Sequence, residues 1–373
     1  MTESQQSSGP VRIGVIGAGS VSDMYLSSLS AYPDVDVQIV TDRHPDRAAA
    51  QAGKYGIARH GVPEEALDDP DIEVILNLTP PAAHTAVSLA AISRSKHVYS
   101  EKPLSADVDG GRAILAAAAA NSVVIGSAPD ITLGSEFQSA LRLVADGGIG
   151  DIVFARCEAV LAGPEIWHPR PQFLYAPGGG PLFDIGPYYL TALVAALGPI
   201  TDVVGRGTRK SLERTIGSGP LSGQTFPVEV PSLTTAILGF ASGITAQLLL
   251  TFDSASHRGG QMEIFGTTAT LRTPDPNGVS LASALLDAGS TQWQEFPIGD
   301  VPVVIGPGVV NFARHLRGVE PLVVDGRRAL HVLDVMAAIA TSSHDEGRVV
   351  TIESTFPPSP VLPAGWSPTE ARL

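Results

Sequence analysis

Over residues 11–126 the chain alternates between short β-branched runs and alanine-rich segments, a rhythm that few folds accommodate. The runs are Val11–Ile16, Val35–Val40, Glu73–Leu78, one containing His97–Tyr99, and Ser122–Gly126. The segments between them, Ser20–Ser30, Pro45–Tyr55, Ala82–Ser93 and Ala106–Ala120, suit helices. Such alternation predicts an α/β architecture, a doubly wound parallel sheet with helices on both faces. After about residue 130 the pattern changes. Longer strand-like runs appear at Asp151–Leu161, Leu233–Phe240, Ile244–Phe252 and Gln261–Phe265, with Gly239–Gly243 as a hairpin turn. These predict an α+β domain with a large open, mostly antiparallel sheet. The expected boundaries are a polar, disordered tail at 1–9, the parallel-sheet domain at 10–130 and the second domain at 131–373.

Charge and composition narrow the partners. With 24 basic and 38 acidic residues the formal charge is −14, which disfavours nucleic acid and anionic membranes. No run approaches the roughly 18 apolar residues of a membrane span. The first residues, MTESQQSSGP, lack the basic and apolar regions of a secretory signal. The single cysteine, Cys157, excludes an internal disulfide and a cysteine-rich metal site, and reads as a small core residue in a strand. A cytoplasmic enzyme without a metal is the expectation.

The turn after the first strand, Gly14-Val-Ile-Gly17-Ala-Gly19-Ser20-Val21-Ser22, opens the first helix. Gly17 permits a tight turn, Gly19 lets the backbone approach a pyrophosphate, and Ser22 stands where a small residue is needed for helix–strand packing. Phosphate would sit on the N–H groups of Ser20 and Val21 at the helix N-terminus. Asp42 ends the second strand, where a carboxylate can bind the adenosine ribose and repel a 2′-phosphate, favouring NAD. Arg43 beside it could instead accept that phosphate and allow NADP. Asp42 also reads as an acidic cap before Pro45.

Ligands collect at the C-terminal ends of parallel strands. The third strand ends in Asn77-Leu78-Thr79-Pro80-Pro81, with His84 just inside the next helix. The fourth ends in Glu101-Lys102-Pro103, where proline holds the lysine in extended geometry. Leu78, Thr79, Pro80, His84, Glu101 and Lys102 are therefore expected to line a cofactor. For His84 a capping or satisfied core role is the alternative. A second constellation, Gly178-Gly-Gly-Pro-Leu-Phe-Asp184-Ile-Gly186-Pro-Tyr188, reads as a glycine loop feeding a helix. Asp184 and Tyr188, four apart, would share one face, with Gly186 leaving room between them for a ligand or backbone. Trp167 and His168 precede that loop; the indole suits the apolar face of a pyranose and the imidazole can bind hydroxyls. The alternative is a core Trp with an exposed His.

Together these motifs resemble the Gfo/Idh/MocA oxidoreductase family: glucose–fructose oxidoreductase, inositol dehydrogenase and relatives. The resemblance rests on the Gly17/Gly19 turn, Thr79-Pro80 with His84, the Glu101-Lys102-Pro103 triplet and the Asp184-x-Gly186 helix, and spans nearly the whole chain. It implies hydride transfer between a nicotinamide and a hydroxyl-bearing carbon of a sugar, polyol or sugar derivative. Lys102 would stand at the reacting hydroxyl and favour phenolate at Tyr188, with Asp184 alongside. Many relatives place histidine where this chain has Tyr188, with an aspartate near Thr191. Others, including glucose–fructose oxidoreductase, place tyrosine there. The resemblance further implies a homodimer or homotetramer built through the second domain's sheet. It also implies that the helical stretch Arg328–Ser342 packs back near the cofactor domain. The same pair would serve a redox-neutral NAD-dependent glycoside-cleaving or eliminating enzyme, and the same fold a non-catalytic NAD-dependent sensor.

Overall fold

The computed structural model describes residues 9–278, 282–295 and 305–373, so the expected N-terminal tail lies outside the described residues apart from Gly9. Within them the chain forms two units. One holds residues up to Gly134, then 305–330 and Pro360–Leu373; the other holds residues from Ser135 to 295 and His331–Ser359. The division is therefore not the single cut expected after residue 130. Apolar residues past position 300, among them Val309, Phe312, Val323 and Trp366, are buried in the core of the first unit and tie that length of chain to it.

In the first unit β1 (Val11–Ile16), α1 (Ser20–Leu29), β2 (Val35–Thr41) and α2 (Pro45–Tyr55) follow the expected spans. A short β3 (Arg59–Gly61) and α3 (Pro63–Leu67) come next, then β4 (Val74–Asn77), α4 (Pro81–Ile92), β5 (His97–Ser100), α5 (Val108–Asn121) and β6 (Ile125–Ser127). The sheet order is β3-β2-β1-β4-β5-β6, with every pairing parallel. Alternation along β1 and β4 sends Val11, Ile13, Val15, Val74 and Leu76 into one core and Ile16 and Ile75 into the other, one on each face. The last strand begins later than expected because α5 runs on to Asn121 and ends in Ser122 at φ 54.

The second unit opens with α6 (Ser135–Ala145) and β7 (Ile152–Val160). Two 3-10 turns, Pro164–Ile166 and Pro171–Tyr175, lead to α7 (Gly180–Asp184) and α8 (Gly186–Leu197). Strands β8 (Ile200–Thr208), β9 (Glu213–Thr215), β10 (Thr225–Pro227), β11 (Leu233–Phe240), β12 (Thr245–Thr251), β13 (Gly259–Gly266), β14 (Ala269–Arg272), β15 (Ala284–Asp287) and β16 (Gln294–Glu295) follow. After α9 (Pro307–Leu316) of the first unit come α10 (Gly326–His344) and β17 (Val350–Thr351). The large sheet has the order β16-β15-β14-β13-β7-β12-β11-β8-β17 and is antiparallel except where β12 runs parallel to β7. Cys157 lies buried in β7, and Gly239–Gly243 makes the β11–β12 hairpin. Helix α10 lies against β8, whose Gly205 and Gly207 amides donate to Ser342 and Ser343 hydroxyls at 2.8 and 2.6 Å. On the sheet's other face Phe154 stacks on Phe265 at 4.1 Å and Ile237 is exposed.

Candidate active site

The glycine turn is built by exclusion. Gly17 has φ 111, and a Cβ there would stand 2.6 Å from the carbonyl of Leu78. Its amide donates to Thr41 O at 2.8 Å, joining the exits of β1 and β2. Gly19 is the opposite case: nothing lies within 4 Å of where its Cβ would be, and no side chain caps α1. An open backbone at a helix N-terminus is the arrangement a pyrophosphate requires, so these residues fit a dinucleotide. Ser22, fully buried, donates its hydroxyl to Gly19 O at 2.6 Å. Asp42 accepts Ala18 N–H and His44 N–H, each at 2.8 Å, and Arg43 is exposed. The α2 N-cap position belongs to His44, so Asp42 anchors the turn rather than capping that helix. Each carboxylate oxygen retains a lone pair for a ribose hydroxyl.

The ends of β4 and β5 are tied together by polar side chains. Buried Asn77 donates to His84 O at 3.1 Å and Ser88 Oγ at 3.2 Å, and accepts the Thr79 hydroxyl at 2.6 Å. His84 is wholly buried, with Nδ1 2.6 Å from Pro103 O and Nε2 2.7 Å from Thr79 O. Both ring nitrogens are thus spent on joining the Thr79 turn to the Pro103 corner. Glu101 accepts Tyr25 O–H at 2.8 Å on one oxygen and Lys102 N–H at 2.9 Å on the other. Its own amide donates to Asn77 O at 2.9 Å. Lys102 and Pro103 are half-buried, and the peptide between them is cis. Tyr25, 76 residues from Glu101, is a partner that sequence reasoning missed, because no local pattern signals so distant a bond.

In the second unit the expected single helix around Asp184 is broken. Helix α7 ends at Asp184 and α8 begins at Gly186, because Pro187 cannot supply the amide that would continue the ladder. Gly186 is buried, and a Cβ there would meet Leu250, Leu182 and Met336 at 3.4–3.6 Å, ordinary contacts. It packs against the core and does not open room for a ligand as expected. The adjacent tyrosines part ways. Tyr188 is half-buried, as is Asp184, whereas Tyr189 is fully buried and donates to Asp275 at 2.8 Å. Burial, then the Asp275 carboxylate, pushes the Tyr189 hydroxyl far above the usual phenol range. Trp167 is 65% exposed, not a core residue, and stands edge-on to His168 at 5.4 Å. Among the described residues no group of three His, Cys, Asp or Glu side chains could hold a metal, and no helix is long and apolar enough to cross a membrane.

Comparison with known proteins matches this anatomy. Residues 11–128 match the family model described as an oxidoreductase family, NAD-binding Rossmann fold, and residues 137–272 match the GFO/IDH/MocA C-terminal domain. A dTDP-3,4-didehydro-2,6-dideoxy-α-D-glucose 3-reductase of Streptomyces antibioticus is 30% identical over 265 residues, 70% of this chain and 75% of that protein. Among solved structures, an NAD-binding oxidoreductase from Klebsiella pneumoniae superposes with a TM-score of 0.80 at 20% identity, covering 92% of this chain and 99% of that one. A levoglucosan dehydrogenase in complex with NADH superposes at 0.78 and 19% identity, over 92% and 100%. The parallel sheet with its open glycine turn and the nine-stranded second sheet are the two halves of one architecture, and this chain belongs to the Gfo/Idh/MocA family of NAD-binding oxidoreductases.

Proposed function

We propose that the protein moves hydride between NAD and a hydroxyl-bearing carbon of a sugar, polyol or sugar derivative, with Lys102 and Tyr188 as the proton-transfer pair. The observation that carries this reading is the corner at the end of β5. There Glu101 and His84 fix the backbone on both sides of Lys102, as a positioned acid/base group demands. When bound, the nicotinamide accepts or donates the hydride. Gly17, Gly19, Ser20 and Val21 hold the pyrophosphate. Asp42 takes the ribose hydroxyls and disfavours a 2′-phosphate, so NAD is preferred to NADP. Leu78, Thr79, Pro80 and Glu101 line the path to the reacting end, and His84 positions that lining from beneath. The Lys102 ammonium holds the substrate oxygen and favours phenolate at Tyr188, which takes the hydroxyl proton in oxidation and returns it in reduction. Asp184, at the end of α7 four residues before Tyr188, orients the hydroxyls, and Trp167 with His168 receives the sugar.

The protein works in the cytoplasm as a homodimer or homotetramer built on the outer face of the nine-stranded sheet, where Phe154 and Ile237 are exposed and Phe265 is half-buried. A screen of sugars and polyols for NADH absorbance with the purified protein tests the activity. Turnover of at least one, lost in Lys102→Ala, is the expected result. Absence of NADH formation alongside cleavage of a glycoside would replace oxidation by a redox-neutral reaction.

A further inference from the structure

Tyr25 of α1 is wholly buried, at a position where phenylalanine would fill the same space. Its hydroxyl donates to Glu101 at 2.8 Å. The other carboxylate oxygen of Glu101 accepts Lys102 N–H at 2.9 Å. A single carboxylate thus joins α1 to the backbone of Lys102. In the sheet, β4 lies between β1, which feeds α1, and β5, which ends at this corner. Tyr25 therefore reaches across one strand to make its bond.

The phenol is aimed by its surroundings. The Tyr25 ring stands edge-on to Tyr99, with centroids 6.4 Å apart at 71°, and Tyr99 stands edge-on to Phe312 of α9 at 6.0 Å and 74°. A Cβ at Gly308 would stand 2.3 Å from the Tyr99 hydroxyl, so Tyr99 has no slack on that side. Burial, then the Glu101 carboxylate, holds the Tyr25 hydroxyl far above the usual phenol range, so it stays a donor at every working pH. Helix α1 has a second task. Its first amides, at Ser20 and Val21, are the proposed pyrophosphate seat, and Tyr25 lies roughly 7–8 Å further along its axis. One helix therefore carries both the phosphate seat and the clasp on the lysine corner.

We infer that Tyr25 is a positioning residue for the reaction: through Glu101 it sets the backbone of Lys102 in register with the phosphate seat on α1. The inference rests on the proposed function for the role of the Lys102 ammonium. Strand pairing fixes the end of β5 within the sheet, whereas the Tyr25 bond ties it to the helix layer. Without that bond Glu101 still accepts Lys102 N–H but is itself free to turn, and the ammonium loses its fixed place in the proton transfer. Loss of one such hydrogen bond is worth about tenfold, and misplacing a reacting group by about 1 Å as much as about a hundredfold.

Tyr25→Phe keeps the ring and removes only the donor. On the full chain, turnover of the sugar found by the screen is read by NADH formation, and hydrogen exchange at the Lys102 amide is read without cofactor. Expected are a kcat about tenfold lower and exchange at Lys102 about tenfold faster. The acid limb of kcat against pH should move to higher pH by about half a unit, since a displaced ammonium favours phenolate at Tyr188 less. A merely structural defect lowers kcat equally at every pH. In a Glu101→Ala background Tyr25→Phe should cost nothing further, because Tyr25 acts through Glu101. Tyr55→Phe is the control. It removes a like bond, from Tyr55 O–H to Asp23 of α1 at 2.7 Å, and leaves kcat and exchange at Lys102 as in the wild type. Unaltered exchange at Lys102 in Tyr25→Phe overturns the inference, as do additive losses with Glu101→Ala or an equal loss in Tyr55→Phe. Faster exchange in Tyr25→Phe, with turnover intact in Lys102→Ala, sinks the proton-transfer reading of Lys102 and leaves the hold on its backbone standing. Turnover lost in Lys102→Ala but unchanged in Tyr25→Phe does the reverse.

Discussion

The corner at Glu101–Pro103 and the loop at Trp167–Phe173 hold their side chains by different means. The corner is fixed largely from the backbone. Glu101 bonds to Asn77 across neighbouring parallel strands, and the ring of His84 reaches two carbonyl oxygens. The aromatic loop is fixed by charged side chains from afar. Arg214 lies 49 residues from Glu165 and 39 from Asp253. A site made by strand ends inherits its geometry from sheet register, and so tolerates change wherever the sheet survives. A site made by a loop depends on the particular side chains that pin it.

Removing the chemistry from the corner while leaving its frame gives the sharpest contrast. Lys102→Ala should cut kcat by about two to four orders of magnitude with NAD affinity unchanged, and Tyr188→Phe by a similar amount. The double variant should lose no more than the worse single one if both act on one proton transfer, as proposed. Full additivity in steady-state kinetics would show independent roles.

Buried charge also serves the first unit, and there its loss should be felt in stability. Arg314 is wholly buried, paired with Asp34 at 2.6 Å, and bonds to Glu370 O at 2.5 Å. Arg314→Met leaves Asp34 uncompensated and should lower unfolding free energy by ~3–5 kcal/mol in urea titration. A loss under about 1 kcal/mol would mean the tail and α9 are held by apolar packing alone.

The two units should answer pH in opposite senses. In the second, burial drives the His331 pKa down to about 4 while Nε2 accepts Ile200 N–H at 2.9 Å. Its contribution is complete above about pH 6.5 and falls away by ~3 kcal/mol as pH drops through 4. In the first, burial raises Asp130 to about 6, against the pull of the Gly308 and Gly306 amides. The folded form then binds the proton more tightly, so this contribution is complete below about pH 4 and is lost as pH rises through 6. Hydrogen exchange followed unit by unit between pH 4 and 6.5 should show protection rising with pH around His331 and falling around Asp130. Parallel behaviour would break the contrast.

The smallest effect concerns the cofactor's far end. Asp42→Ser should shift the ratio of NAD to NADP affinity about tenfold toward NADP. Titration of both cofactors by fluorescence checks it, and tighter NADP binding by the wild type would give the decision to Arg43.

Much of the first unit is legible in the sequence. Strands at 11–16 and 35–41 and helices at 20–29 and 45–55 lie where periodicity puts them, because each buries a face set by local spacing. The short β3 and α3 are not, being too brief to show a period. In the second unit the strands from 233 to 266 are readable, but β8 and the β9–β10 hairpin are not. Glycine and polar residues interrupt their alternation; β8 takes its pair from β11, and β9 and β10 are too short to show a period and pair with each other.

By itself the sequence determined the parallel sheet, the turn at Gly17 and the place of Lys102 at a strand end, since these follow from neighbours a few residues apart. Tertiary structure alone decided what depends on segments far apart in the chain. It divides the chain so that residues 305–330 rejoin the first unit, and it spends His84 on two carbonyls. It also buries Tyr189 while leaving Tyr188 half-open, and sets Trp167 in water while Arg214 gathers Glu165 and Asp253. The physical reason is range. Propensity and periodicity act within a turn or a strand, whereas burial and buried charge are fixed only when distant segments meet.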